Sequence, residues 1–208
     1  MAAEPTDEQL MARYQAGDAA AFETLLRRHR AGVLTFLARM VGDRTRAEDL
    51  MQETFLKVVK GARTWQSQAK FSTWLYTIAR NLCIDLARRE KFRKADSLDA
   101  AAGKDEDGRP LVETIPGDAA SPDRGAENAR MRLVIERAIA ALPDDQREVF
   151  VLREYSGVPF KDIAELVGAP ENTVKSRMRY ALEALRKRLV AAGIQGDMAD
   201  DAVEARLA

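Results

Sequence analysis

The chain has 208 residues, 46% of them hydrophobic and 32% charged, the balance of a soluble globular protein with enough length for one or two packed domains. One cysteine, Cys83, and one histidine, His29, exclude a disulfide framework, a thiolate zinc cluster and a multi-histidine metal site; no apolar run approaches the ~20 residues of a membrane helix, and the polar, acidic N-terminus is unlike a signal peptide, so a reducing cytoplasm without membrane insertion is expected. Formal net charge is zero but unevenly spread: residues 80–94 hold six Lys/Arg against two acids, residues 172–190 six against one, and residues 95–127 three against nine, and patches rather than totals attract DNA.

Thr6 to Gln9 fits a capping box ahead of Leu10, Met11 and Tyr14, predicting a short first helix that ends near Gly17. Asp18 is placed to cap the second helix. Phe22, Leu25, Leu26, His29, Val33, Phe36, Leu37 and Met40 hold its apolar stripe as far as Gly42. His29 lies in that stripe and reads as a packed histidine, since catalysis would require a partner that the sequence does not supply.

Thr45 to Glu48 fits a second capping box. Leu50, Met51, Phe55, Val58 and Val59 then form the inner face of a third helix, while Asp49, Gln52, Glu53, Lys57 and Leu56 point elsewhere. That outer face is either a solvated surface or a docking surface. Residues 61–70, GARTWQSQAK, read as a loop in which Trp65 is either a core plug or a platform for a stacked base. Ser72 is placed to cap the fourth helix, whose buried side carries Leu75, Ile78, Ala79, Leu82 and Leu86. The opposite side gathers Trp74, Thr77, Arg80, Asn81, Arg88 and Lys91. Aromatic, amide and guanidinium groups on one face can stack on, hydrogen-bond and neutralise single-stranded DNA.

Periodicity stops over residues 95–127, an acidic stretch rich in Gly, Pro, Asp and Ala that reads as a flexible linker with an extended reach of about 110 Å. A second domain begins near Asn128. Met131, Val134, Ile135, Ala138, Ile139 and Leu142 form one helical stripe; Pro143 ends it; Val149, Phe150 and Leu152 lead another helix to Gly157. The expected domains are therefore residues 1–94 and 128–190, with 95–127 as linker and 191–208 as a short acidic tail.

Within the second domain, PFKDIAELVGAPENTVKSRMRYALEALRKRL (residues 159–189) has the layout of a helix-turn-helix. Pro159 suits a first helical position. Phe160, Ile163, Ala164 and Val167 share a face; Gly168 closes the helix in left-handed geometry; Asn172 or Thr173 caps the next. Val174, Met178, Ala181, Leu182, Leu185 and Leu189 form the buried stripe of the second helix. Such a motif sets the start of its second helix in the major groove, so Glu171, Asn172, Thr173, Lys175, Ser176 and Arg179 are candidates to face bases, with Arg177 and the other cations on phosphates.

In order and spacing, AEDLMQETFLKVV (residues 47–59), FSTWLYTIARNLCIDLARR (71–89), LPDDQREVFVLREYSG (142–157) and NTVKSRMRYALEALR (172–186) resemble the extracytoplasmic-function (ECF) sigma factors of bacterial RNA polymerase, across residues 7–189. The resemblance implies an all-α chain of two helical domains joined by a flexible acidic linker, the second a helix-turn-helix. It implies that Asp49, Gln52, Glu53 and Leu56, with Phe55 at the edge, dock on the clamp helices of the polymerase β′ subunit. It implies that Trp65, Lys70, Trp74, Thr77, Arg80, Asn81 and Arg88 open and read the −10 promoter element, where a base is flipped into a pocket. The helix-turn-helix would read the −35 element, with the β flap as a further polymerase contact, and the linker would thread through the polymerase. An anti-sigma factor is implied as a further partner. Two positions depart from the family pattern, Asp162 where Glu is usual and Val167 where Leu is common; neither threatens the fold. An autonomous helix-turn-helix regulator would bind operators without polymerase and leaves residues 7–94 unexplained. An enzyme would need a nucleophile–base pair, a phosphate loop or a metal cluster, and none is legible; no cofactor is expected.

Overall fold

A computed structural model describes residues 4–66, 70–100 and 122–194. All regular structure among them is helical, and the chain divides into two units, the first carrying α1 to α4 and the second α5 to α8.

The first unit comprises α1 (Asp7–Gln15), α2 (Ala19–Val41), α3 (Arg44–Gly61), a 3-10 turn (Ala62–Thr64) and α4 (Phe71–Ala100). The Thr6 box forms as expected: Thr6 Oγ1 accepts from Gln9 N–H at 3.2 Å and Gln9 Oε1 accepts from Thr6 N–H at 2.9 Å. Asp18 Oδ1 accepts from Ala20 and Ala21 N–H at the start of α2. Leu10 and Met11 of α1, Leu25, Val33, Phe36 and Leu37 of α2, Met51, Phe55 and Val58 of α3, and Phe71, Leu75, Tyr76 and Ala79 of α4 make the core. Each such aliphatic or aromatic side chain contributes about 1.5–3 kcal/mol relative to exposure.

Several local expectations are corrected. α3 starts at Arg44, so Thr45 lies within its first turn and Asp43 occupies the position before the helix; Asp is as good an N-cap residue as Thr. Val59, expected inside, is 40% exposed, because it lies at the border of a stripe that Val58 and Phe55 already fill. α4 starts at Phe71 rather than after Ser72, and its Phe71 N–H is accepted by Glu8 Oε1 at 3.1 Å: a carboxylate from α1, not the local serine, meets the helix end. Helical backbone also runs into both ends of the stretch expected as linker, through Ala100 and from Pro122; the intervening residues and the tail beyond Ile194 lie outside the described residues.

The second unit comprises α5 (Pro122–Ala140), α6 (Asp144–Glu154), α7 (Phe160–Val167) and α8 (Glu171–Ala191). Two guanidinium groups satisfy the carbonyls at the end of α5: Arg147 Nη1 donates to Ala140 O at 2.8 Å and Arg188 Nη2 to Ala141 O at 3.1 Å. Arg147 also pairs with Asp144. Ala138, Ile139, Leu142, Val149, Val151, Leu152, Ile163, Leu166, Val174, Leu185 and Leu189 close the core; Met131, Val134 and Ile135 are half-buried.

Gly168 takes φ 67°, ψ 37° and ends α7 as expected. Pro159 and Pro170 are the residues before α7 and α8, and neither helix has a side-chain cap. Pro159 thus stands one position earlier than expected, and Asn172 and Thr173 are inside the first turn of α8 rather than capping it. The extended backbone of each proline directs its carbonyl into the helix: Ile163 N–H donates to Pro159 O at 2.9 Å and Val174 N–H to Pro170 O at 3.1 Å.

Candidate nucleic-acid and polymerase interfaces

The outward face of α3 is set by what its inward face buries. Because Ala47, Leu50, Met51, Thr54, Phe55 and Val58 are buried, Asp49, Gln52, Glu53 and Leu56 are turned to solvent. Leu56 is 58% exposed and Val59 adjoins it, making an apolar patch beside two carboxylates. Glu53 is loosely paired with Lys57, 3.8 Å away. Phe55 is only 7% exposed; it supports this surface from within rather than presenting itself on it. Val59 is the residue that the sequence reading missed here.

At the start of α4, Trp65, Phe71 and Trp74 form one aromatic cluster with ring centroids 6.1–6.5 Å apart. Trp65 is 9% exposed and its indole N–H has no hydrogen-bond partner among the described residues. Of the two roles left open for it, this burial favours the plug. Trp74 is half-buried and lies over Gly61, where a Cβ would stand 2.9 Å from Trp74 Cζ2. Beyond it along α4 come Thr77, whose hydroxyl donates to Thr73 O at 2.8 Å, then half-buried Arg80, exposed Asn81 and exposed Arg88. Lys70 is exposed ahead of the helix. Trp74, Thr77, Asn81 and Arg88 recur at three-, four- and seven-residue steps, so they share a face.

His29 differs from expectation in having a partner. Its Nε2 is 2.6 Å from Asp7 Oδ2, and its ring lies 5.4 Å from that of Phe71. The hydrogen bond from His29, and then the Arg28 guanidinium, hold the Asp7 carboxyl below its usual value although burial opposes this. The pair fastens α1 to α2.

On α8 the burial of Val174, Met178, Ala181 and Leu185 leaves Glu171, Asn172, Thr173, Lys175 and Arg179 exposed, with Ser176 and Arg177 half-buried. Lys175 Nζ is 2.6 Å from Glu171 Oε1, and Arg177 Nε is 3.1 Å from Asp145 Oδ2. Arg177 is therefore held against α6. The Arg179 guanidinium lies 5.1 Å from the Tyr180 ring centroid. Tyr180, 49% exposed, was not singled out from sequence; an aromatic two residues off the buried stripe was the available signal. Lower down, the ion pair with Lys187 depresses the Glu183 carboxyl. No group of three or more His, Cys, Asp or Glu side chains able to hold a metal occurs among the described residues, and no described helix is long and apolar enough to cross a membrane.

Comparison with known proteins covers both units. Residues 25–93 match Sigma-70 region 2, and residues 132–185 match Sigma-70 region 4. The chain is 34% identical to the RNA polymerase sigma-H factor of Pseudomonas aeruginosa, covering 91% of this chain and 96% of that protein. It is 34% identical to the ECF RNA polymerase sigma factor SigW of Bacillus subtilis (83% and 91% covered) and 31% to the ECF sigma-E factor of Escherichia coli K12 (91% and 97%). Among solved structures it is similar to the sigma factor RpoE in complex with the anti-sigma factor NepR from Bartonella quintana, with a TM-score of 0.64 at 25% identity over 81% of this chain and 96% of that one. The first unit, which an autonomous helix-turn-helix regulator would leave idle, is thus as much a part of the match as the second: the chain belongs to the ECF group of sigma-70 RNA polymerase sigma factors.

Proposed function

We propose that this sigma factor divides promoter recognition between two chemically different helix faces. The α4 face, with Trp74, Thr77, Arg80, Asn81 and Arg88, takes the −10 element as opened single strand; Lys70 adds charge, and Trp65 supports Trp74 from below. The start of α8, with Asn172, Thr173, Lys175, Ser176 and Arg179, takes the −35 element as duplex. Glu171 and Asp145 hold Lys175 and Arg177 until phosphates replace them. The outward face of α3, Asp49, Gln52, Glu53 and Leu56, docks on the β′ clamp helices of core polymerase, and the helix-turn-helix unit adds a contact to the β flap. Chemistry stays with the polymerase; the chain supplies no catalytic group and works in the cytoplasm.

The observation that carries this reading is the asymmetry of the two faces. The α4 face combines a ring, hydroxyl and amide with two guanidinium groups, which suits unstacked bases. The α8 face is short, polar and cationic around a helix start, which suits a groove edge. An anti-sigma factor is a further partner by analogy with the NepR complex of the Bartonella relative.

The test is run-off transcription from a pooled genomic promoter library with purified core polymerase. New start sites that require both components, sharing two sequence elements, are expected. DNA binding by the chain alone, with no gain in specific starts from core polymerase, would overturn the reading.

A further inference from the structure

Helix α1 reaches across to the segment that joins α3 to α4 and grips it at both ends. Gln15 Nε2 donates to Ala62 O at 2.7 Å and to Trp65 O at 2.9 Å. In the first turn of the same helix, Glu8 Oε1 accepts from Phe71 N–H at 3.1 Å. A glutamine amide has two N–H donors, enough for both carbonyls, and a carboxylate on the first N–H of a helix is favoured by hydrogen bonding and by the helix dipole.

Of the three residues whose backbones are held in this way, Ala62, Trp65 and Phe71, the last two are the aromatic neighbours of Trp74. Trp65 and Phe71 lie 6.3 and 6.1 Å from the Trp74 ring, centroid to centroid. Trp74 is therefore placed by a wedge of two rings, and each ring is tied through its own main chain to α1. The tie is useful only if α1 is itself fixed, and it is. Leu10 and Met11 are buried, the Thr6 capping box is closed, Asp7 meets His29 at 2.6 Å and Arg28 at 3.0 Å, and Arg28 also holds Pro5 O at 2.8 Å. α1 ends before residue 25, where the Sigma-70 region 2 match begins, so this grip is supplied from outside the matched segment.

We propose that Glu8 and Gln15 are positioning residues for promoter recognition: they set the placement of Trp74 through Trp65 and Phe71, and so set base preference at the −10 element. The proposal rests on the assignment of the α4 face to that element.

The experiment compares full-length Gln15→Leu, Glu8→Ala and Glu8→Gln in holoenzyme, on a panel of promoters substituted base by base at −10. Open complexes are scored on closed duplex, and core binding and thermal unfolding are measured in parallel. Gln15→Leu and Glu8→Ala are expected to flatten the −10 preference by about fivefold, the size of one hydrogen bond, with core binding unchanged. Glu8→Gln keeps an oxygen to accept from Phe71 N–H and should retain the preference, which a need for charge alone would not allow. Trp74→Ala is the internal reference. If Trp74→Ala shifts the preference while the two α1 variants lower only the unfolding temperature, the positioning role is overturned and the −10 assignment stands. If Trp74→Ala shifts nothing either, the −10 assignment falls and the positioning role with it.

Discussion

Gly61→Ala separates the placement of Trp74 from the stability of the unit that carries it. Gly61 has φ −83° and ψ −10°, so alanine adopts its backbone without strain. Its Cβ, however, would stand 2.9 Å from Trp74 Cζ2 and 3.5 Å from Cη2, inside contact distance. The ring cannot retreat toward Trp65 or Phe71, 6.3 and 6.1 Å away, and must swing outward. Overpacking of this kind costs about 1–3 kcal/mol, and removing glycine from the unfolded chain returns about 0.4–1 kcal/mol, so the net loss is about 0–2.5 kcal/mol. A stacked base is worth about 1–3 kcal/mol, so misplacing its platform should slow open-complex formation roughly 5- to 150-fold. Gly32→Ala is the control: its Cβ would meet the Tyr76 hydroxyl at 2.7 Å, in a buried region beside Phe36. It should lower the unfolding temperature and leave the −10 preference alone. The assay is permanganate footprinting of the opened strand, with unfolding followed by circular dichroism. Normal opening by Gly61→Ala would show that Trp74 placement does not govern melting.

Three further substitutions divide the remaining roles. Arg179→Ala should weaken −35 duplex binding by about 1–3 kcal/mol, roughly 5- to 150-fold, with holoenzyme assembly unchanged; loss of core binding in a native gel shift would contradict the assignment. Leu56→Ala is exposed and should move stability by no more than about 0.5 kcal/mol, yet weaken core binding by about 2 kcal/mol if it is an anchor; equal affinity by fluorescence titration would move the docking surface elsewhere. Asp7 tests the α1 attachment by pH. Its carboxyl is depressed by the His29 bond first and by Arg28, so its contribution is present above the usual value of 3.8 and is lost as pH falls below that toward the lowered folded value. Asp7→Asn should therefore lower stability at neutral pH and flatten the acid limb of the unfolding curve below about pH 4; an unaltered acid limb would mean that Asp7 carries no linkage.

What could be read from the sequence was what neighbours along the chain decide. The Thr6 box spans four residues, Gly168 needs only its own backbone geometry, and the α8 stripe repeats every turn; the first two form as read, and the stripe does so except for half-buried Leu182. The failures share another feature. Glu8 caps α4 across 63 residues, Gln15 holds carbonyls 47 and 50 residues away, and His29 finds Asp7 22 residues back. No periodicity carries such pairings, because the partner is chosen by packing. Trp65 could not be resolved between plug and platform for the same reason: its role depends on Phe71 and Trp74 closing over it. Val59 was misjudged by the angular coarseness of a stripe at ~100° per residue, which does not rank residues at its edges.

The charge arrangement on α8 bears on why recognition is split at all. Its sequence is strongly cationic, yet in the folded unit Lys175 is on Glu171, Arg177 on Asp145, Lys187 on Glu183 and Arg188 on Ala141 O. The three ion pairs are each worth only about 0–1 kcal/mol, so phosphates can displace the acids, but every exchange subtracts from the binding it permits. On the proposed −35 reading, Glu171 and Asp145 would also stay close to the duplex afterwards, repelling it. On the same proposed reading, the helix-turn-helix unit would thereby be kept from gripping arbitrary DNA, where phosphate contacts supply nearly all the affinity. Discrimination at the proposed −35 contact would then rest on groups not engaged in these pairs, chiefly Asn172 and Thr173, which no cap consumes. A reader of this kind becomes effective when a second contact raises its local concentration, and the proposed docking of α3 on the polymerase would supply that contact. Glu171→Gln with Asp145→Asn should accordingly strengthen binding of the chain to unrelated duplex and steepen its salt dependence, since two more cations would release counterions. An unchanged salt slope would show that the paired acids do not restrain α8.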